Sequence, residues 1–134
     1  MVIQDLASKT VFLDTATLIY FIEGNSAYQP LLARLFDCND KGVLSFSTSS
    51  VTLLEVLVKP LREGHHALAG QYRDILTTAP GIELLDVTST VAEKAAHLRA
   101  KYNLRTPDAI QLAACIEFGA DYFLTNDNRL KAVS

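Results

Sequence analysis

The chain has 134 residues, of which 49% are apolar, and this length and composition fit one domain with a sizeable core. No apolar run is long enough to span a membrane, and the N-terminus lacks the basic and apolar segments of a secretory signal peptide. The net charge of −3 argues against bulk electrostatic binding to nucleic acid but permits a local basic surface. The two cysteines, Cys38 and Cys115, indicate buried thiols in a reducing cytoplasm rather than a disulfide framework.

The first half of the chain alternates short apolar runs with segments of helical periodicity. In chain order the predicted elements are a strand at 10–13, a helix at 15–23, a helix at 27–38, a strand at 43–47 and a helix that begins after Ser49 or Ser50. Pro60 is expected to end or kink that last helix, because proline lacks the amide proton that a helix interior requires.

The second half continues the same alternation. The predicted elements are a helix at 66–78, a strand at 82–87, a helix from Thr88 or Ser89 to about Tyr102, a helix opened by Thr106 and Pro107 and closed by Gly119, and a strand at 122–124. Residues 128–134 are too few to predict a further strand. Alternating strands and helices predict an α/β fold, a three-layer α/β/α sandwich with a central, mainly parallel sheet of four or five strands, in one domain over 1–134.

The helix that follows Pro107 is apolar on almost every side. Between Ala109 and Phe118 only Gln111 and Glu117 break the apolar pattern. A helix of this kind packs on two faces rather than lying on the surface.

Three aspartates stand at positions that suit a functional site, but each has a simpler explanation. Asp14 follows the first strand and suits a helix N-cap, and Asp108 lies near a helix N-terminus, where negative charge is favoured. Asp127 follows the last predicted strand and suits a turn. Taken singly, these three residues are explained by local structure.

Glu55 is the only charged residue between Val51 and Val58, in a helix that must pack on the sheet. A buried carboxylate needs a metal, a partner or a raised pKa. Lys59 lies four residues further on and offers an ordinary helical ion pair. The functional and the structural interpretation of Glu55 are therefore evenly balanced.

Considered together, the four acids favour a metal site. Asp14 and Asp127 are predicted at the carboxyl ends of parallel strands, where ligands bind in open α/β sheets. Four acids at one edge would repel each other unless divalent cations held them, and hard oxygen ligands suit Mg²⁺ or Mn²⁺. A basic rim around this site, or simply a solvated surface, is offered by Lys59, Arg62, Arg99, Lys101, Arg105 and Arg129.

The candidate acids lie in four short segments: Val11-Phe-Leu-Asp-Thr15, Ser49-Ser-Val-Thr-Leu-Leu-Glu55, Leu104-Arg-Thr-Pro-Asp-Ala-Ile-Gln-Leu-Ala113 and Phe123-Leu-Thr-Asn-Asp127. Together these segments resemble the PIN-domain family, especially the toxin ribonucleases of type II toxin–antitoxin pairs. Each segment is weakly specific alone, but the four occur in the expected order over nearly the whole chain. Relatives usually continue past the fourth acid into a further strand, whereas this chain ends at Ser134.

The resemblance implies metal-dependent cleavage of RNA by an acidic quartet. Asp14, Glu55, Asp108 and Asp127 stand at the matching positions, and Thr125 and Asn126 match the polar residues beside the last acid. The family also implies inhibition by a small antitoxin protein and frequent homodimers.

On this hypothesis, Asp14 and Asp108 bind Mg²⁺ or Mn²⁺ directly, and Glu55 holds a water on the metal or acts as general base. Asp127 completes a second metal site or acts through water. Arg105 steers the RNA backbone, although an ordinary surface arginine is the commoner explanation. Two other functions remain open: a PIN-like module that binds metal without catalysis, and a metal-dependent phosphatase acting on small phosphate esters.

Overall fold

The computed structural model describes residues 3–24, 29–124 and 130–132. Its strands are β1 (Thr10–Leu13), β2 (Ser45–Ser49), β3 (Ile82–Leu85), β4 (Tyr122–Leu124) and β5 (Leu130–Ala132). Its α-helices are α1 (Thr15–Glu23), α2 (Gln29–Asp40), α3 (Ser50–Arg62), α4 (His66–Thr78), α5 (Ser89–Tyr102) and α6 (Thr106–Glu117). A 3₁₀ turn at Ile3–Leu6 precedes them.

The five strands form one sheet in the order β3-β2-β1-β4-β5. The first four are parallel, and β5 pairs antiparallel with β4. The chain builds outward from β1 to β2 and β3, and then crosses to the other side of β1 to form β4. The strand order therefore reverses at β1, and the crevice at the carboxyl ends of strands flanking such a reversal is the usual ligand site of open α/β sheets.

The central strand β1 is buried on both faces, as a parallel strand covered by helices should be. Val11 and Leu13 point into a core shared with α1, α2, α3 and α4. Phe12 points into a second core, formed with α5 and α6. The α/β/α layering and the mainly parallel sheet predicted from the sequence are confirmed.

Most predicted boundaries agree with the structure, and the exceptions have physical causes. The second strand begins at Ser45 rather than 43, because Val43 belongs to the preceding turn, where its N–H donates to the carbonyl of Cys38. Helix α3 continues through the buried Pro60 to Arg62, so that proline lies in the last turn of the helix instead of ending it. Residues 130–132 form an edge strand that their short length did not predict.

The residue predicted to cap the start of α6 was wrong, whereas the residue predicted to end this helix was correct. Arg105, not Thr106, is the N-cap, and its side chain makes no capping hydrogen bond. At the other end Gly119 has φ of 75° and donates to Ile116 O, while Ala120 donates to Cys115 O. This pair of bonds is a Schellman motif, which confirms that glycine ends the helix. None of the helices in the described ranges is long and apolar enough to cross a membrane.

Candidate active site

A cleft of about 710 Å³ opens at the carboxyl edge of the sheet, between β1, α3 and α6. Three of the four predicted acids line this cleft together: Asp14, Glu55 and Asp108. Its other lining residues are Thr15, Ala16, Ile19, Leu104, Arg105, Gln111, Leu112 and Phe123. The fold thus brings to one place three carboxylates that are up to 94 positions apart in the sequence, from Asp14 to Asp108.

Asp14 reaches the cleft because β1 ends one residue earlier and α1 begins one residue later. Its Oδ1 accepts a hydrogen bond from the backbone N–H of Thr17 at 2.8 Å, so it is the N-cap of α1. The backbone N–H of Asp14 donates to the carbonyl of Leu124, the last residue of β4, at 3.4 Å. The capping role expected from the sequence and a position in the cleft are therefore compatible in one side chain.

Glu55 is half-buried on the face of α3 that lines the cleft. Its Oε1 accepts a hydrogen bond from Thr15 Oγ1 at 2.6 Å. No ion pair joins Glu55 to Lys59 within the described part of the chain, and Lys59 is exposed. The helical ion pair considered for Glu55 does not form, and the carboxylate is held by the hydroxyl of another helix.

Asp108 lies in the first turn of α6 and pairs with the residue that caps the helix. Arg105 Nε donates to Asp108 Oδ2 at 2.9 Å, and Arg105 Nη2 lies 3.4 Å from Asp108 Oδ1. This bond, then the charge of Asp108 and, more weakly, that of Glu55 raise the pKa of Arg105. Arg105 is therefore a cation at the mouth of an acidic cleft, and its pair with Asp108 is exposed to solvent.

Beneath the carboxylates lies a group of hydroxyl and amide side chains, which we call the polar network: the half-buried Thr15 and the buried Thr48, Ser49, Thr52 and Gln111. Gln111 Nε2 donates to Thr52 Oγ1 at 2.6 Å and to Thr15 Oγ1 at 3.3 Å. Its Oε1 accepts from Ser49 Oγ at 2.6 Å. Thr48 Oγ1 lies 2.9 Å from Thr52 Oγ1 and 2.8 Å from the carbonyl oxygen of Leu13. The network therefore links β1, β2, α1, α3 and α6 under the cleft.

The other described basic residues of the predicted rim do not line the cleft and have their own contacts or face solvent. Arg99 Nε donates to the carbonyl of Leu104 at 2.8 Å, and Lys101 lies over the ring of Tyr102. Lys59 and Arg62 are exposed on the last turns of α3. Of these candidates, Arg105 is the one that lines the cleft in the described structure.

The last predicted segment of the site falls outside the described residues. It contains Thr125, Asn126 and Asp127, and also Arg129. The described part ends just before it at Leu124, which pairs with Leu13 at the carboxyl end of β1. The place of Asp127 in the quartet stays a prediction.

Among the described residues, no three His, Cys, Asp or Glu side chains lie close enough together to hold one ion as they stand. The donor chemistry nevertheless suits Mg²⁺ or Mn²⁺, since Asp14, Glu55 and Asp108 present carboxylate oxygens to one open cleft. In the described structure these oxygens are engaged by a backbone amide, a hydroxyl and a guanidinium.

Comparison with known protein families shows to which family the chain belongs. The model of the PIN domain family matches residues 11–134. The chain belongs to the PIN domain family. No curated protein matches its sequence.

Solved structures of toxin–antitoxin proteins share the fold at low sequence identity. A toxin–antitoxin complex from Klebsiella pneumoniae is 22% identical, with a TM-score of 0.64 over 86% of this chain and 84% of that one. VapC20 of Mycobacterium tuberculosis, a toxin that cleaves the sarcin-ricin loop, is 18% identical, with a TM-score of 0.69 over 86% and 88%. VapBC2 from Rickettsia felis, bound to a DNA fragment from its promoter, is 17% identical, with a TM-score of 0.67 over 87% and 86%.

Sequence reasoning did not identify the polar network as part of the site. Gln111 was visible only as a polar break in an apolar helix, although it lies three residues after Asp108 and so on the same helix face. Thr15 and Thr52 have ordinary helix positions and gave no signal. A lone buried amide one turn from a candidate acid was the available clue.

We expect Thr52→Val to destabilise the fold by roughly 1–3 kcal/mol, because the equally sized valine leaves the amide of Gln111 without its closest acceptor. Thr52 is fully buried. Thr77→Val is the matched control, since the Thr77 hydroxyl is exposed and bonds only the Arg73 carbonyl of its own helix. Urea unfolding of both variants measures the difference, and equal stabilities would show that the network contributes nothing.

Proposed function

We propose that this PIN domain protein is a metal-dependent endoribonuclease and the toxin of a type II toxin–antitoxin pair. The observation that carries the proposal is the convergence of Asp14, Glu55 and Asp108 on one cleft at the carboxyl edge of the sheet. The family membership supports hydrolysis of nucleic acid, and the similar fold of VapC20 supports RNA as its substrate. Asp127 is proposed as the fourth acid, with Thr125 and Asn126 beside it.

The chain's own groups suggest a division of labour. Asp14 and Asp108 are the proposed ligands of Mg²⁺ or Mn²⁺, and Asp108 would give up its exposed pair with Arg105 to bind the ion. When bound, the ion lowers the pKa of a water and offsets charge on the phosphate oxygens. Glu55, which is held by Thr15, is the proposed acceptor of the proton of the attacking water. Arg105, once released from Asp108, is the proposed contact to the RNA backbone.

Two protein partners follow from the same proposal. Solved complexes of similar fold include toxin–antitoxin pairs, which supports a small antitoxin as the inhibitor of this chain. A homodimer is supported by a stripe of exposed apolar side chains on α3. Leu54, Val58 and Leu61 are spaced at i, i+4 and i+7 and are 64%, 42% and 49% exposed.

Asp14→Asn should abolish cleavage of an end-blocked RNA without unfolding the protein. Asparagine keeps a side-chain oxygen for the N–H of Thr17 but loses the charge that holds a divalent cation. Asp86→Asn is the matched control, because Asp86 is exposed just after β3 and does not line the cleft.

The same pair of variants tests the toxin in cells. Expression of the wild-type protein and of Asp86→Asn should arrest growth, whereas expression of Asp14→Asn should not. Co-expression of a small reading frame that lies beside the gene, as the antitoxin, should restore growth. Normal RNA cleavage by Asp14→Asn would refute the catalytic role of this residue. Turnover of a small phosphomonoester without cleavage of RNA would instead indicate a phosphatase.

Mn²⁺ or Mg²⁺ should raise the melting temperature relative to EDTA. A ligand that binds only the folded state stabilises it by RT ln(1 + [L]/Kd), roughly 2.7 kcal/mol at a hundredfold excess over Kd. The physical source is the repulsion among carboxylates that a cation relieves. Asp14→Asn should lose most of this gain while Asp86→Asn keeps it. Identical melting of the wild-type protein in all three conditions would contradict a shared metal site.

Leu54→Glu should convert a dimer into a monomer, because a charge in the middle of the stripe is costly to bury in an interface. Val43→Glu is the control, since Val43 is also an exposed apolar residue but lies in the turn before β2. Light scattering with size-exclusion chromatography measures the mass. A wild-type monomer at high concentration, or an unchanged dimer for Leu54→Glu, would rule out this interface.

A further inference from the structure

Gln111 is a single buried amide in a helix whose other core-facing residues are apolar. It is 3% exposed, and its neighbours in the buried face of α6 are Ala109, Ala113, Ala114 and Cys115. Burial of an amide is unfavourable unless its donors and acceptor are all paired. Those of Gln111 are paired entirely with side chains of other elements: Thr15 after β1, Ser49 at the end of β2 and Thr52 in α3.

The orientation of this amide is determined by its partners. Ser49 accepts from the N–H of Val51, and its own hydroxyl proton goes to Gln111 Oε1. The amide nitrogen must then face Thr15 and Thr52. Thr15 has one hydroxyl proton, and it goes to Glu55, because an ionised carboxylate can only accept. Thr15 Oγ1 can therefore receive a proton from Gln111 but cannot give it one.

The hydrogen bonds thus run in one direction, from Ser49 through Gln111 and Thr15 to Glu55. Thr15 Oγ1 also lies 3.2 Å from Thr52 Oγ1, and because the proton of Thr15 goes to Glu55, Thr15 is the acceptor in that contact as well. Glu55 has three rotatable side-chain bonds, and in the described structure Thr15 is the one group that donates to it. A reacting group held loosely loses much of its advantage, since small misplacements reduce the rate strongly.

We propose that Gln111 and Thr15 are positioning residues, which aim the carboxylate of Glu55 into the cleft through the bonds Gln111 Nε2 to Thr15 Oγ1 and Thr15 Oγ1 to Glu55 Oε1. This inference rests on the proposed function, in which Glu55 serves the hydrolytic step. It adds that the amide on α6 acts on the carboxylate on α3 through the hydroxyl of Thr15.

Gln111→Met tests the inference, because methionine has a similar length but donates no hydrogen bond. We expect kcat for RNA cleavage to fall roughly 10- to 100-fold with KM unchanged, as is typical when a residue that orients an active-site ligand is lost. Calorimetry should also show weaker Mn²⁺ binding, because a misplaced Glu55 would no longer add its negative charge to the cleft in which the cation would bind. Gln111→Asn, which withdraws the amide by one methylene, should change both quantities in the same direction and serves if the methionine variant does not fold.

Asn39→Leu is the matched control for a merely structural effect. Asn39 is also a buried amide, and its Nδ2 donates to the carbonyls of Leu44 and Gly81, remote from the cleft. Its loss should lower the melting temperature but leave kcat and Mn²⁺ affinity within about twofold of the wild type, because Asn39 neither lines the cleft nor bonds to the polar network.

A double-mutant cycle tests whether Gln111 acts through Thr15. Thr15→Val removes the hydroxyl, so in that background Gln111→Met should cause no further fall in kcat. Multiplicative losses in the cycle, or a Gln111→Met variant that changes kcat and Mn²⁺ affinity no more than Asn39→Leu does, would overturn the positioning role in an active enzyme. A wild-type protein that neither cleaves RNA nor binds Mn²⁺ would instead refute the proposed function itself.

Discussion

The hydrogen bond from Thr15 to Glu55 is the interaction on which the arrangement of the cleft depends. At 2.6 Å it joins a residue just after β1 to a half-buried carboxylate on α3. A carboxylate that has lost part of its hydration is stable only if a donor replaces the water. The fold provides that donor, and a buried amide behind it fixes the direction of the donor's proton. The same contacts therefore pack the helices together and hold the carboxylate of Glu55 in one orientation.

The acids of the cleft are held in three different ways. Asp14 is engaged by a helix N-terminus, Glu55 by a hydroxyl and Asp108 by an exposed guanidinium. The first two partners are parts of the packed structure, whereas the pair between Asp108 and Arg105 is exposed and contributes little to stability. Under the proposed function, Asp108 would be the carboxylate most readily released to a cation, and Arg105 would then contact phosphate.

The parallel sheet explains why these groups meet. In a parallel sheet all strands end at the same edge, and the helices that follow them begin there, so their first residues face one crevice. Asp14, directly after β1, and Ser49, the last residue of β2, are helix N-caps, and Gln111 lies in the helix packed across the same edge. The central strand β1, buried on both faces, holds this edge in register with its neighbours.

The sequence by itself determined the order of strands and helices, the parallel sheet and the gathering of acids at its carboxyl edge. These features follow from local periodicity, capping residues and the positions of the acids relative to strand ends, which a single chain displays directly. It did not determine the partner of Glu55, since Lys59 at i+4 was an equal candidate until the structure showed Thr15 in its place. Nor did it reveal the role of Gln111, or that residues 130–132 form an edge strand. The partner of Glu55 and the role of Gln111 depend on contacts between residues 40 to 96 positions apart, and only the packing of α1, α3 and α6 on one sheet decides which hydroxyl faces which carboxylate.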